Sequence, residues 1–408
     1  MRPRTSAIIP GVIPGRKEAE TMPGIDAFMN ENEAQLEEVM AAIEASRDAL
    51  IARLREIAEI PSPTFEESRR TEYLTRAFPG AGLKDVHSLK GGSVLAYTRG
   101  KDMPVDLLLA AHIDTVFPMD TDIRTHIDGG LLRGPGTGDN AANVAAILTL
   151  AEVFNETGVG PAGNVVFCGT VREEGLGNLG GMAEVLDELG DRTAMAIAVD
   201  GMSPAITYRS QAIRRYAVTL RGPGGHSWNH FGAPSAIHEM ARIVSGLASL
   251  EVPEEPRTTF NVGKIQGGRS INAIAQQCSI EVDLRSLDEG TVADLEKRFL
   301  DIVAKTPREG VSAETELIGT RPGAVIDAEH DLVKTAEAAA RHTGLEPVLN
   351  AASTDAALPL SRGIPAISFG TYTGSGTHSL DEYVEVDSLT AGLRWLAITV
   401  LALTGLDR

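Results

Sequence analysis

The stretch Val105-Asp-Leu-Leu-Leu-Ala-Ala-His112-Ile-Asp114-Thr115 decides the fold class. Val105 to Ala111 is an almost unbroken apolar run, as expected of a strand buried on both faces of a parallel sheet. It ends on polar side chains that the middle of such a strand could not carry. Asn164 to Cys168, Ala194 to Val199 and Ala366 to Phe369 read the same way. Helical stretches separate the first three runs, at Ala142 to Phe154 and Gly181 to Leu189. Strands alternating with helices predict an α/β fold, a mostly parallel sheet flanked by helices.

Outward from this centre the periodicity changes twice. Leu36, Val39, Met40, Ile43, Leu50, Leu54 and Ile57 recur at helical spacing, and Pro61 and Pro63 stop the pattern. Residues 1–35 read as a peripheral N-terminal extension, broken by Pro3, Pro10, Pro14 and Pro23. Between residues 208 and 317 the order is strand (Arg214 to Leu220), helix (Pro234 to Leu250), two strands (Thr258 to Ile265, Gln277 to Ser286), helix (Thr291 to Lys305) and strand (Val311 to Leu317). That β-α-β-β-α-β order is a ferredoxin-like α+β unit. It reads as a domain inserted into the α/β one, which spans 36–207 and resumes at 318–408 with helices near Leu332 to His342 and Leu389 to Leu403.

Bulk properties exclude several classes of function. The chain has 408 residues, too many for one compact core, and 43% of them are hydrophobic. Lys and Arg number 37 against 56 Asp and Glu, a formal charge of -19. That balance argues against nucleic acid or an anionic membrane as partner. Cys168 and Cys278 lie in apolar runs without a CxxC pair, so they read as buried free thiols rather than a disulfide framework. No run has the length of a signal-peptide core or a membrane span, which makes a cytoplasmic location the default expectation.

Five segments carry the chemistry, and each is expected to end or follow a parallel strand, where open α/β sheets place their ligands. In Ala-Ala-His112-Ile-Asp114 the i, i+2 spacing sends both polar side chains to one face. Asp114 there either holds the second ring nitrogen of His112 or orients a general base. In Gly134-Pro-Gly-Thr-Gly138-Asp139 the spacing fits neither a dinucleotide nor a P-loop signature. Asp139 reads either as the cap of the following helix or as a carboxylate bridging two cations. Glu173-Glu174 in extended backbone would point opposite ways, one to a cation and one to a reacting water. Asp200 closes the run ending at Val199 and is a turn former or a ligand. His378 lies in the loop Gly376-Thr-His-Ser-Leu-Asp-Glu382 before the last helix. Each has an ordinary explanation alone. Together they hold the inventory of a two-metal hydrolytic site with one Glu to spare as base.

The order His112-x-Asp114, Asp139, Glu173-Glu174, Asp200, His378 resembles the dinuclear zinc peptidases. That superfamily includes peptidase T, glutamate carboxypeptidase, aminoacylase and the acetylornithine and succinyl-diaminopimelate deacylases. The resemblance runs over about residues 45 to 405 and implies a zinc exopeptidase-like fold whose insert serves as lid and dimerisation domain. It implies one metal on His112 and Asp200, a second on Glu174 and His378, and Asp139 bridging them. Glu173 would be the general base, with Asp114 supporting the His112 side. His226, in Gly224-Gly225-His226-Ser, matches the residue that helps hold the substrate carbonyl, often from the partner subunit. Asn272 and Arg285 match residues that grip substrate, and a guanidinium suits bidentate binding of a carboxylate. Two Zn2+ are implied, with Co2+ or Mn2+ as alternatives, and a homodimer. Many deacylases of the superfamily have Asp-Met-Lys-Gly where this chain has Asp139-Asn140-Ala141-Ala142. Glu-Glu-Gly-Leu-Gly-Asn178-Leu and Ser353-Thr-Asp355-Ala are more similar to the peptidase T-like branch. The expected activity is therefore cleavage of small peptides, with N-acyl amino acids as the alternative substrates. A non-catalytic binding protein is the third reading, and the intact ligand set counts against it.

Overall fold

The computed structural model describes residues 24–407. Pro3, Pro10, Pro14 and Pro23, expected to break the N-terminal extension, lie outside them. Four parallel strands form the centre of the larger sheet, in the spatial order Val165–Thr170, Leu107–His112, Ala196–Val199 and Ala366–Phe369. On one side the antiparallel strands Val94–Tyr97 and Lys84–Ser88 extend it. On the other lies Ala205–Ser210, which pairs with Ala324–Val325 and, in parallel, with Val348–Ala352.

Alternation along the strands explains why both faces are covered. Leu107, Leu109 and Ala111 join a core with helices Glu33–Ala45, Arg47–Ala58, Asn143–Thr157 and Ser388–Thr404. Leu108 and Ala110 point the other way, toward Met182, Val185 and Leu186 of helix Gly180–Leu189. Every residue of the four central strands is buried, so their runs read as continuously apolar.

The insert has its own sheet, Thr258–Gly267, Gln277–Ser286, Ala212–Arg221 and Ser312–Arg321 in that spatial order, all antiparallel. Helices Ala236–Ala248 and Glu289–Lys305 cover one face and share a separate core with Tyr216, Val218, Ile280, Val282 and Leu284. The opposite face is polar and carries Arg215, Glu281, Asp283 and Arg285.

Three local readings change. The helical pattern from Leu36 to Ile57 breaks at Ser46, where one helix hands over to the next. A short helix, Ile25–Glu31, precedes it and buries Phe28, so the segment before residue 35 is not wholly peripheral. The larger sheet keeps the chain until Ser210, and the last insert strand runs to Arg321. Both junctions therefore fall a few residues later than the sequence pattern suggests. Among the described residues, no helix is long and apolar enough to cross a membrane.

Candidate metal centre

Four polar segments meet at the carboxyl ends of the parallel strands. His112 is the last residue of its strand, Asp200 directly follows Val199, and Glu173 and Glu174 follow Thr170. His378 comes from the loop after Phe369. Asp139 joins them from the loop leading into helix Asn143–Thr157. It does not cap that helix, whose N-cap position is Ala142; its carboxylate faces His112 and His378 instead.

Asp139 stands at the middle of the cluster. Its Oδ1 is 2.9 Å from His112 Nε2, and its Oδ2 is 3.1 Å from His378 Nε2. His378 Nε2 also lies 2.9 Å from Glu174 Oε1, and His112 Nε2 lies 3.8 Å from Asp200 Oδ1. Two triads result, His112–Asp139–Asp200 and Asp139–Glu174–His378, each with its donor atoms within 4.8 Å of one another. Imidazole nitrogens and carboxylate oxygens in this arrangement suit zinc and similar divalent cations.

Glu173 departs from the expectation that the adjacent glutamates would diverge. Both offer oxygens within 4.8 Å of each other and of a His112 nitrogen. Arg172, with a φ of 58°, turns the chain just before the pair, while Glu174 itself is extended. Asp114 fixes that turn. Its Oδ1 accepts from Glu173 N at 3.0 Å, and its Oδ2 accepts from Glu174 N and from Thr64 Oγ1, both at 2.9 Å. The Asp114 backbone carbonyl, 3.1 Å from His112 Nδ1, is the closer partner of that ring.

Electrostatics favour bound cations. The buried Asp114, Glu173, Glu174, Asp355 and Glu382, with the half-buried Asp139 and Asp200, outnumber the buried arginines Arg70 and Arg321, and buried carboxylates are paired or coordinate metals. Burial alone would lower the His112 imidazole. Hydrogen bonds to Asp114, Asp139 and Asp200 outweigh it and hold the group well above its usual range. Asp139 and Glu174 push His378 up to about 10. Burial raises Glu173 far above an ordinary glutamate, with Arg321 opposing it.

The supporting residues are those the sequence pattern does not reveal. Glu382, quoted only as part of the His378 motif, accepts from the backbone N–H of Gly136, Gly138 and Asp139 at 2.7–2.9 Å. In that loop Gly136 takes a left-handed φ of 70°, and a Cβ on Gly138 would lie 2.5 Å from the Tyr372 hydroxyl. Asn140 donates to the Val199 carbonyl at 3.0 Å and accepts from Asn143 at 2.7 Å, tying the Asp139 loop to the strand that presents Asp200. Arg321 pairs with Glu173, and Asp355 accepts from Thr170 beneath the cluster.

The insert residues are arranged differently. His226 and Asn272 lie together on a short ladder, where His226 pairs with Ala273 and Ser227 N donates to the Asn272 carbonyl. Both are exposed, and among the described residues no hydrogen bond joins either to the cluster. His226 Nδ1 accepts from Trp228 N at 3.2 Å. Arg285 is held by Asp283 on its own strand at 2.6 Å. Arg215, unremarked in the sequence, shares Asp283 and donates to the Gly175 carbonyl beside Glu174.

Comparison with known proteins shows the family. The family description "Peptidase family M20/M25/M40" matches residues 108–402, and the chain belongs to that family. It is a metal-dependent hydrolase of amide bonds. Succinyl-diaminopimelate desuccinylase of Corynebacterium glutamicum is 23% identical over 353 residues, which cover 83% of this chain and 93% of the relative. A tripeptidase from Staphylococcus aureus superposes with a TM-score of 0.74 at 23% identity, over 88% of this chain and 98% of its own. A Bacillus subtilis protein described as a dinuclear metal-binding peptidase superposes with a TM-score of 0.62 at 18% identity, over 88% and 99%.

Proposed function

We propose that this chain hydrolyses small peptides, dipeptides or tripeptides, with two zinc ions per chain. The observation that carries the reading is the split of Asp139, one oxygen toward each histidine. His112 and Asp200 would hold one ion, Glu174 and His378 the other, and Asp139 would bridge them. When bound, such ions polarise the scissile carbonyl and acidify the attacking water. Glu173 takes the proton of that water as its oxygen bonds to the amide carbon. It then hands the proton to the leaving nitrogen as the C–N bond breaks. Asp114 keeps Glu173 and Glu174 aimed by holding their backbone N–H groups. Arg285 and Asn272 would grip the rest of the substrate.

The same reading includes a homodimer in which His226 of the partner subunit donates to the substrate carbonyl oxygen. Two features support it. His226 and Asn272 line a cavity of about 550 Å³ on the insert, with Arg269, Ser270 and Gln276. Trp228 and Phe231, on the same loop, are 84% and 93% exposed, as is all of Ile271 next to Asn272. Apolar groups clustered in this way mark a surface that meets a partner.

Hydrolysis of N-acyl amino acids is the second reading, favoured by the desuccinylase relative, which aligns over nearly its whole length. The test is a panel of mixed dipeptides, tripeptides and N-acyl amino acids with zinc-, cobalt- or manganese-loaded enzyme. Peptides turning over faster is the expected result. Faster acyl amino acids would favour the second reading, and no turnover on either would favour a binding protein.

A further inference from the structure

Arg321 is the last residue of the final insert strand, opposite Ile213 in register and followed by Pro322. Its guanidinium leaves the insert and enters the catalytic cluster. Nη1 donates to Glu173 Oε1 at 2.8 Å and to Ser353 Oγ at 3.1 Å, while Nη2 donates to the Glu173 backbone carbonyl. Only 5% of the Arg321 side chain and 6% of the Glu173 side chain reach solvent.

This arrangement holds one residue twice. A planar guanidinium presents its N–H groups in a rigid fork, so grasping both the carboxylate and the carbonyl fixes the side chain relative to its own backbone. An exposed ion pair would orient little, whereas a pair excluded from water keeps its geometry. The two carboxylate oxygens are thereby made unequal. Oε1 is occupied by Arg321, and among the described residues no hydrogen bond reaches Oε2. Glu173 nonetheless lies within 4.8 Å, donor atom to donor atom, of His112 and Glu174.

We propose that Arg321 is a positioning residue for the hydrolysis. It pins Oε1 of Glu173 so that Oε2 alone faces the reacting centre as proton acceptor. The proposal rests on Glu173 being the base. It assigns a part of the catalytic arrangement to the insert of the same chain, in addition to whatever a partner supplies.

A double-mutant cycle on metal-loaded enzyme tests it, with metal content, thermal midpoint, kcat and KM measured for each variant. Glu173→Gln is expected to keep its metal and lose about 10²–10⁴ in kcat. Arg321→Ala should keep its metal and KM and lose roughly 30-fold or more in kcat, the scale of a misplaced catalytic group. Arg321→Lys, which retains the charge but not the fork, should recover part of that loss. In the Glu173→Gln background either Arg321 change should cost less than about 3-fold, because groups acting as a unit are not additive. Should Arg321→Ala not fold, Arg321→Lys in the two backgrounds makes the same comparison. Near-native kcat in the Arg321 variants, or an equal loss in both backgrounds, overturns the proposal. Near-native kcat in Glu173→Gln alone overturns instead the assignment of the base.

Discussion

The ends of the parallel strands and the tip of the insert make opposite use of polar residues. At the strand ends, His112, Asp114, Glu173 and Glu174 are buried and satisfied within one chain. At the insert tip, His226 and Asn272 face solvent beside Trp228, Phe231 and Ile271. A buried polar cluster must have all its partners in place, since an unmet one is costly. An exposed loop carries no such requirement and can wait for a partner. In the function proposed above, metal binding is completed inside the chain and contact with the substrate carbonyl between chains.

Mixing two inactive chains breaks or sharpens that division, and the expected effect is large. A His226→Ala chain and a Glu173→Gln chain are each nearly inactive. If His226 works across the interface, each mixed dimer holds one site with both residues intact. Activity should then return toward half that of a native dimer. Subunit exchange, demonstrated by tagged chains, without recovered activity would place His226 in its own chain's site.

A smaller effect concerns the strand-end cluster alone. Burial raises the Asp355 carboxyl from 3.8 to about 6, against the hydrogen bond from Thr170, and its other oxygen has no partner. The folded value lies above the unfolded one. The protonated acid therefore contributes stability that is present below pH 3.8 and lost as pH rises through about 6. The loss is about 3 kcal/mol for a shift of this size. Asp355→Asn in chelator-stripped protein should flatten the fall in thermal midpoint between pH 4 and 7 (roughly that window). An unchanged pH dependence would show that Asp355 does not carry it.

Much of the fold was legible because it is written in periodicity. Apolar runs such as Leu107 to Ala111 mark buried strands, and their polar ends mark where ligands gather. The insert's element order was legible for the same reason. The strand Ala205–Ser210 was not, since Ile206 and Tyr208 give only weak alternation and Gln211 alone separates it from the next strand. In the candidate site, residues forming local motifs stood out: His112 with Asp114, and Glu173 with Glu174. Arg321 and Asn143 did not, because a single polar residue acquires meaning only from a contact far along the chain. Arg321 meets Glu173 across 148 residues.

The central claim is that one carboxylate serves two cations. Metal analysis of the Asp139→Ala chain, after equilibration with zinc and removal of excess, tests it most directly. Folded wild-type protein should hold about two ions per chain. The variant, with unchanged secondary structure, should hold neither tightly, because both triads lose a shared member. Retention of both ions by folded Asp139→Ala protein would contradict the account.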